Sequence, residues 1–355
     1  MLTLTTAGES HGPALVGILT GLPAGLTLDR EAIDADLARR QQGYGRSPRQ
    51  RIEQDRVEVL AGLRHGRTLG TPLAFVISNR DHENWVWGMD PWPPEGDPAG
   101  KGTKPVTLPR PGHADLAGTL KYGHDDVRDT LERASARQTA ITVAGGAVAK
   151  ALLAEIGVEV VGSVVEMGDV DEARGDRDTV GGVVEVRAGG VPPGLGSYAT
   201  KDGRLDARLA AALMGIQAVK GVEIGDGFGL AGLRGSQAHD EILRDERGVY
   251  RETNRAGGIE GGVSNGEEIV VRAAMKPLPT LMRPLRSVDL ETGEPGEALV
   301  ERSDVAAVEA LSVVSEASVA FELARAAREK FGGDALHDFV AAYRAYLERI
   351  PWQPR

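Results

Sequence analysis

Alternating apolar and polar positions near the start of the chain are typical of β-strands that bury one face. They predict strands at 2–6 and 14–21, joined by a turn at Gly8–Pro13. Similar alternation, or a short apolar run, recurs further along the chain. It predicts strands at 56–61, 69–78, 158–170, 180–188 and 267–275.

Apolar residues that recur every three to four positions predict helices. The first helix is 29–42, where Asp29 is the expected N-cap, Ile33 and Leu37 share one face, and Gly43 ends the helix. The same spacing predicts further helices at 125–156, 204–219, 303–331 and 334–349.

The order of these elements favours an α+β fold, because strands and helices come in clusters and not in strict β-α-β alternation. No linker divides the 355 residues, so a single domain over 1–355 is predicted. The segment 81–109 is rich in Trp, Pro and Gly and is predicted to be a long loop without regular structure.

Composition excludes several classes of protein. The chain has no cysteine, which excludes disulfides, thiolate nucleophiles and cysteine-ligated metal centres, and fits a reducing cytoplasm. The first residues do not resemble a signal peptide, and no apolar run of about 18 residues predicts a membrane span. The formal net charge of -11 argues against nucleic acid as a partner.

One basic stretch interrupts this acidic composition. From Arg39 to Ile52 there are five arginines and no acidic residue. A small, multiply charged anion would suit such a stretch. A solvated loop rich in arginine would suit it equally, and charge alone does not separate the two interpretations.

Two histidines lie in segments framed by glycine, where the backbone can approach a ligand closely. His11 lies within Gly8–Gly12, and His113 follows Arg110-Pro111-Gly112 and precedes Asp115, which could orient it. Histidine exchanges a proton near neutral pH, which suits acid–base catalysis, although each position also fits a simple surface turn. The other histidines lack this framing, and surface or packing roles are predicted for His65, His82, His124, His239 and His337.

Arg133 and Arg137 lie four residues apart in the predicted helix 125–156, so both are expected on one face. Two like charges there repel each other unless an anion or a carboxylate lies between them. The anion would be a ligand, whereas the carboxylate would come from Asp129 or Glu132 in the same helix.

Glycine pairs appear in two further places. In the helix 125–156, Gly145–Gly146 would let another element pack closely. In the segment 254–280, glycines expose backbone N–H groups that can hold a phosphate or a flat ring, which favours a cofactor site over a plain hairpin. Gly227–Gly232 matches the dinucleotide pattern GxGxxG, but no β-α-β unit surrounds it and no Rossmann site is predicted. No acidic or histidine cluster has metal-site spacing, so no metal is expected.

Taken together, these segments resemble the chorismate synthase family. The resemblance rests on motifs that occur in the family's order, from residue 8 to about residue 310. They are GESHGPALVGILTGLPAG, RRQQGYGRSPRQ, DHENW, RPGHADLAGTLKY, RASARQTA, QAVKGVEIGDGF, NRAGGIEGGVSNGEEIVVRAAMKPLPT and RSDVAAVEA. Ala134 stands where some relatives have serine.

The resemblance implies a fold and a reaction. The fold would be a sandwich with a central helical layer between two antiparallel sheets, and the subunits would form a homotetramer. The reaction would be the 1,4-anti elimination of phosphate from 5-enolpyruvylshikimate 3-phosphate, giving chorismate in the shikimate pathway. Reduced FMN would be required without net oxidation. NADPH is a candidate reductant, because Arg40 and Arg46 match positions often assigned to NADP in the family.

The resemblance also implies roles for individual residues. His11 would protonate the departing phosphate with Ser10 nearby, His113 would lie by the N1–C2=O edge of the flavin, and Asp304 would assist proton removal near N5. The trianionic substrate needs several cations, and those expected are Arg40, Arg46, Arg49, Arg110 and Arg137. FMN contacts are expected from Arg133, Ala134, Ser135, Gln217, Ala218, Gly261, Lys276, Pro277, Leu278, Pro279, Thr280 and Arg302.

Two other functions fit parts of the sequence. The glycine-rich segments suit an NAD(P)- or flavin-dependent oxidoreductase, which would consume reductant stoichiometrically and release no phosphate. The arginine stretch suits a non-catalytic anion-binding protein, which would not perturb the spectrum of added FMN.

Overall fold

The computed structural model describes residues 1–46, 54–93, 95–96, 98–246, 248–301 and 303–350. The strands are β1 (Thr3–Ala7), β2 (Ala14–Thr20), β3 (Glu58–Ala61), β4 (Leu63–Arg64), β5 (Arg67–Thr68), β6 (Leu73–Ser78), β7 (Glu159–Met167), β8 (Gly182–Gly189), β9 (Val219–Ile224), β10 (Ile242–Asp245), β11 (Gly248–Arg251), β12 (Ile259–Glu260), β13 (Val263–Ser264), β14 (Ile269–Met275), β15 (Arg286–Val288) and β16 (Pro295–Glu297). The helices are α1 (Arg30–Gln41), α2 (Val86–Met89), α3 (Asp115–Tyr122), α4 (Arg128–Ala134), α5 (Thr139–Ala154), α6 (Val170–Asp176), α7 (Leu205–Met214), α8 (Gly235–Ala238), α9 (Val308–Phe331) and α10 (Leu336–Arg349).

Two four-stranded sheets organise the described part of the chain, and all their neighbouring strands are antiparallel. The first sheet has the order β1-β2-β6-β3, and the second has the order β7-β8-β14-β9. In the first sheet Gly17 pairs with Phe75, and a Cβ atom on Gly17 would lie 2.7 Å from that ring. The antiparallel sheets with separate helices confirm the predicted α+β class.

Helices α5 and α9 pack against each other, and each also contacts a sheet. Helix α5 packs on β1, β2 and β6 and also touches β7, whereas α9 packs on β7, β8 and β14. A Cβ atom on Gly146 would lie only 2.4 Å from Cβ of Ala317 in α9, so the close packing predicted for Gly145–Gly146 is confirmed. One cluster of buried apolar side chains runs from Leu2 to Phe339.

The first helix follows its sequence signals. Asp29 is the N-cap, and its side chain accepts a hydrogen bond from the Glu31 N–H at 2.9 Å. Ile33 and Leu37 are both buried, and the helix ends at Gln41. Two other predicted helices differ from the structure at one end. The helix predicted over 204–219 ends at Met214, and residue 219 is the first residue of β9. The helix predicted from 303 begins at Val308.

The prediction of one helix over 125–156 is wrong. The backbone of Ser135 is extended, with φ -60° and ψ 142°, so α4 ends at Ala134 and α5 begins at Thr139 after a short 3-10 turn. The Ser135 side chain accepts a hydrogen bond from the Arg137 N–H, which caps this turn. Arg133 and Arg137 therefore do not share a helical face.

The prediction that 81–109 has no regular structure is wrong at its start. Arg80–Asn84 forms a 3-10 helix, and α2 follows it directly. The Asp81 carboxylate stabilises this turn by accepting hydrogen bonds from Asn84 Nδ2 at 2.8 Å and Trp85 Nε1 at 3.1 Å. Such side-chain bonds between near neighbours supply local structure that glycine and proline content does not reveal.

Gly227–Gly232 forms a 3-10 helix after the antiparallel strand β9, which is not the context of a dinucleotide fold. Across the described ranges, no helix is long and apolar enough to cross a bilayer. The same ranges contain no group of three or more acidic, histidine or cysteine side chains that could hold a metal ion.

Candidate active site

A cavity of about 600 Å³ lies where the loops after the strands meet the ends of α1, α4 and α9. This volume is in the usual range for small-molecule sites. Its lining residues come from segments that are far apart in sequence. They lie within 10–11, 40–46, 110–114, 131–139, 214–220, 275–280 and 303–314, together with Glu301.

The cavity reverses the charge of the chain as a whole. Among the described residues, six cationic side chains line it, against the two carboxylates of Glu301 and Asp304, whereas the whole chain carries a net charge of -11. The cationic residues are Arg40, Arg46, Arg110, Arg137, Lys220 and Lys276. Such a cavity favours a ligand with several negative charges.

His11 lies in the turn between β1 and β2 and is almost fully buried, which excludes the surface-turn interpretation. Gly8 starts this turn with φ 111°, and a Cβ atom there would lie 2.5 Å from the Ala14 carbonyl oxygen, so glycine is required. His11 Nδ1 lies 2.8 and 2.9 Å from the two carboxylate oxygens of Glu132, and the ring stacks on Trp85 with centroids 4.0 Å apart. We call these three residues the His11 frame.

His113 has a carboxylate partner of its own. Its Nδ1 contacts Asp115 Oδ1, and Arg110 donates to the same carboxylate from Nε at 2.8 Å and Nη2 at 3.2 Å. Burial opposes ionisation, but the hydrogen bonds from His113 and Arg110 outweigh it and hold the pKa of Asp115 below its usual range. We call these three residues the His113 frame.

Arg40 and Arg137 converge on one buried carboxylate. Asp55 accepts from Arg137 Nη1 at 2.6 Å and from Arg40 Nη1 at 3.4 Å, and Arg137 Nε also donates to Asn79 Oδ1 at 2.9 Å. Burial lowers the pKa of Arg40 to about 9, with Asp55 opposing the shift and Arg137 adding to it. Asp55 therefore holds both guanidinium groups at the wall of the cavity.

The arginine stretch divides between two surfaces. Arg46 Nη1 pairs with Asp304 Oδ2 at 2.8 Å at the cavity, and burial lowers the pKa of Arg46 although Asp304 opposes this. Arg39 points elsewhere and donates to Glu316 and Asp36 at 2.9 Å. The sequence-predicted Arg49 lies outside the described residues.

Most of the residues predicted to contact FMN line this cavity. They are Ala134, Ser135, Gln217, Ala218, Lys276, Leu278, Pro279 and Thr280. Ala218 has φ 69°, a left-handed conformation that is costly for a residue with a side chain and that is often found at functional sites.

Three other predicted FMN residues do not line the cavity. Arg133 donates to the carbonyl oxygens of Gly8 at 3.0 Å and Thr6 at 3.1 Å, so it supports the His11 turn. Gly261 and Pro277 are exposed. Arg302 lies outside the described residues.

Sequence reasoning missed several residues that support the site. Glu132 was considered only as an intrahelical partner of Arg133 and Arg137, whereas its carboxylate holds His11. His82, for which only a surface or packing role was predicted, has its Nδ1 2.9 Å from the carbonyl oxygen of His11. No local pattern around Asp55 indicates its partners, and only the fold brings it to Arg40 and Arg137.

Known proteins resemble this chain over nearly its whole length. The family model described as chorismate synthase matches residues 2–174 and 167–327. A chorismate synthase of Desulforudis audaxviator (strain MP104C) is 55% identical, with 99% of this chain and 98% of that protein covered. One of Pelobacter propionicus (strain DSM 2379 / NBRC 103807 / OttBd1) is 52% identical, with 99% of each covered. A crystal structure of chorismate synthase aligns with a TM-score of 0.77 at 37% identity and covers 98% of both chains.

Proposed function

This chain belongs to the chorismate synthase family, and we propose that the cationic cavity is where it carries out the family's reaction. The enzyme is a carbon–oxygen lyase that converts 5-enolpyruvylshikimate 3-phosphate to chorismate and phosphate. The product is the last common intermediate of the shikimate pathway to the aromatic amino acids.

The observation that carries the assignment to this cavity is its chemistry. The substrate has a phosphate and two carboxylates, and the cavity presents six cationic side chains in a chain with a net charge of -11. Arginine suits phosphate and carboxylate because its planar group can donate two parallel hydrogen bonds. We assign substrate binding to Arg40, Arg46 and Arg137, with Ser10 beside them, and Arg49 is retained from the sequence alone. Arg110 adds charge, since Asp115 and Thr280 already use its donors.

The residues of the cavity fit a flavin. Leu131, Ile216, Leu278, Leu311 and Val314 provide apolar walls for a flat ring. On the substrate side of the cavity, Arg46 Nε is buried and has no hydrogen-bond partner among the described residues, as expected of a donor for an anionic ligand. We propose that FMN is held by the predicted residues that line the cavity, which are Ala134, Ser135, Gln217, Ala218, Lys276, Leu278, Pro279 and Thr280. When bound, reduced FMN would supply electron density transiently, and it would not be oxidised overall.

Proton transfers are assigned to His11 and Asp304. The carbon–oxygen bond to phosphate breaks with its electron pair on the leaving oxygen, and His11 Nε2 supplies a proton to the departing phosphate. We propose that His113 balances charge beside the flavin. Asp304 assists removal of the C6 proton from the wall of the cavity, where it pairs with Arg46.

We also propose the sandwich expected of the family and a single domain. The two packed helices with a sheet on each support the sandwich, and the continuous core supports the single domain. A homotetramer and a cytoplasmic location follow from the family resemblance. NADPH as a reductant rests on Arg40 and Arg46, both of which are engaged with carboxylates.

Anaerobic turnover with chemically reduced FMN tests the function, with chorismate and phosphate measured together. We expect both products in equal amounts without stoichiometric loss of reductant. Consumption of reductant without phosphate would indicate an oxidoreductase. An unchanged flavin spectrum on mixing would indicate a protein that binds anions only.

A further inference from the structure

We propose that Glu132 is a positioning residue that keeps His11 able to donate a proton from Nε2. This inference rests on the proposed role of His11 as the acid that protonates the leaving phosphate. It adds a residue that touches neither substrate nor flavin, since Glu132 is 1% exposed and does not line the cavity.

The geometry of Glu132 is that of a double acceptor for one residue. Its Oε2 accepts from the His11 backbone N–H at 2.9 Å, and the two oxygens lie 2.8 and 2.9 Å from His11 Nδ1. A carboxylate can only accept, so Nδ1 carries a hydrogen and Nε2 is the nitrogen left for the cavity. The backbone of Ser10 also donates to the Glu132 carbonyl at 3.1 Å, so the turn is tied to α4 from two sides.

Other groups hold the His11 ring in place without competing for its nitrogens. Trp85 stacks on it with an interplanar angle of 17°, and Arg128 lies 5.1 Å from the same Trp85 ring. Arg128 also lies 3.8 Å from Glu132, which offsets the buried negative charge. Among the described residues, the His82 ring is hydrogen-bonded to His11 at the carbonyl oxygen and not at the ring nitrogens.

This arrangement decides which form of His11 can act as an acid. The ring gives up its Nε2 proton readily only when both nitrogens are protonated, because it then becomes neutral. In the transfer the Nε2–H bond breaks and an O–H bond forms on the phosphate, while the Nδ1–H bond is retained. Glu132 accepts from Nδ1–H before the transfer and keeps the Nδ1–H tautomer after it, as orienting carboxylates do in other catalytic sites.

Glu132→Gln is a sharp test because an amide cannot replace both acceptors. If its oxygen takes the place of Oε2, its NH₂ group faces Nδ1–H, and two donors then oppose each other. The ring would avoid this contact by carrying its hydrogen on Nε2 and none on Nδ1. In that form the ring is already neutral, so losing the Nε2 proton would leave it negatively charged. We expect turnover to fall about tenfold to a hundredfold, with the substrate KM changed less than about twofold. We also expect the ¹⁵N NMR signals of His11 to switch from the Nδ1–H to the Nε2–H pattern.

Glu316→Gln is the matched control. Glu316 is equally buried and uses both oxygens, but its partners are Arg39, Lys150 and the Gly162 N–H. This variant should lose thermal stability yet keep normal turnover per folded molecule and a normal His11 spectrum. If Glu132→Gln does not fold, Glu132→Asp replaces it, since it keeps both acceptors one methylene further away and should lose less activity than His11→Ala.

A double-mutant cycle separates this inference from the proposed function. We expect His11→Ala to be slow, and adding Glu132→Gln to it to change turnover by less than about twofold, since the two residues would act as one unit. Normal turnover in His11→Ala overturns the role of His11 and the inference with it. A slow His11→Ala with a normal Glu132→Gln, or losses that multiply in the double variant, overturns the inference alone.

Discussion

The His11 frame, taken with Arg128 beside it, and the His113 frame combine a histidine, a carboxylate and an arginine in two different ways. In each, a carboxylate holds Nδ1 of the histidine and an arginine lies near that carboxylate. In the His113 frame, Arg110 binds Asp115 at 2.8 Å and all three residues fall within six positions of the chain. In the His11 frame, the carboxylate comes from a helix 121 residues away and the arginine stays 3.8 Å from it.

This difference is consistent with the different roles proposed for the two histidines. Asp115 shares its charge between Arg110 and His113, so only part of it is left for the ring. Glu132 gives both of its oxygens to His11 and has no hydrogen bond from Arg128 in the described structure. The His11 frame therefore suits the proton transfer proposed for His11, whereas the His113 frame suits the fixed ring proposed beside the flavin.

The largest effect is expected for His11→Ala. If His11 is the acid for the leaving phosphate, its loss should slow turnover by about 10²-fold or more. His113→Ala should lower turnover at least about tenfold. The loss should be smaller than for His11→Ala, because the substitution alters the charge balance and not the protonation of the departing phosphate. Anaerobic phosphate release and flavin titration measure both variants, and FMN should still bind to each. Near-normal turnover in both would remove the roles assigned here and with them the comparison.

Arg46→Ala should have the next largest effect, on substrate binding. Arg46 belongs to neither frame, and the loss of one charged hydrogen-bonding group costs about 1.5–3 kcal/mol. The substrate KM should therefore rise about tenfold to a hundredfold, with little change in the Kd of FMN. Arg39→Ala is the control from the same stretch of sequence, since Arg39 binds Glu316 and Asp36 and should leave KM unchanged. Equal weakening of substrate and FMN would place Arg46 in the flavin site.

The two frames also show what sequence can and cannot predict. Asp115 was identified as the partner of His113 because local spacing determines that contact. Glu132 was not, because the extended backbone at Ser135 redirects α4 and only the packed structure brings its carboxylate to the β1–β2 turn. The same break separates Arg133 from Arg137, which periodicity had placed on one face.

The elements themselves follow a similar rule. Strands β1, β2, β8 and β14 match their predictions because alternation reflects one buried face. The 3-10 helix at Arg80–Asn84 was missed because it depends on hydrogen bonds from single side chains. Long-range ion pairs such as Asp55 with Arg137 leave no local pattern in the sequence at all.

Asp115→Asn should slow turnover by about tenfold, because His113 loses the carboxylate that orients it. It should also destabilise the fold by about 3–5 kcal/mol, since the buried Arg110 loses its main partner. The pKa of Asp115 is held below its usual range in the folded chain. Its charge therefore stabilises the fold above the unfolded carboxyl pKa of about 3.9, and this contribution is lost as pH falls through the folded value.

Thermal melts of wild type and Asp115→Asn across pH check this sign. The difference in Tm between wild type and Asp115→Asn should be largest at neutral pH and should narrow below about pH 4, because asparagine does not titrate. A gap that widened in acid would contradict the assignment of charge to Asp115.

The smallest effect is expected for Trp85, which stacks on His11 with centroids 4.0 Å apart. Among the described residues, no ring stacks on His113, so this contact tests a feature of the His11 frame alone. A stacked aromatic pair contributes about 0.5–1.5 kcal/mol, so Trp85→Leu should slow turnover about twofold to tenfold. Trp85→Phe should recover part of this loss because it keeps a ring, and the exposed Trp92→Leu should change nothing. If Trp85→Leu leaves phosphate release unchanged but lowers Tm, then Glu132 alone orients His11, and the ring serves only to pack the turn.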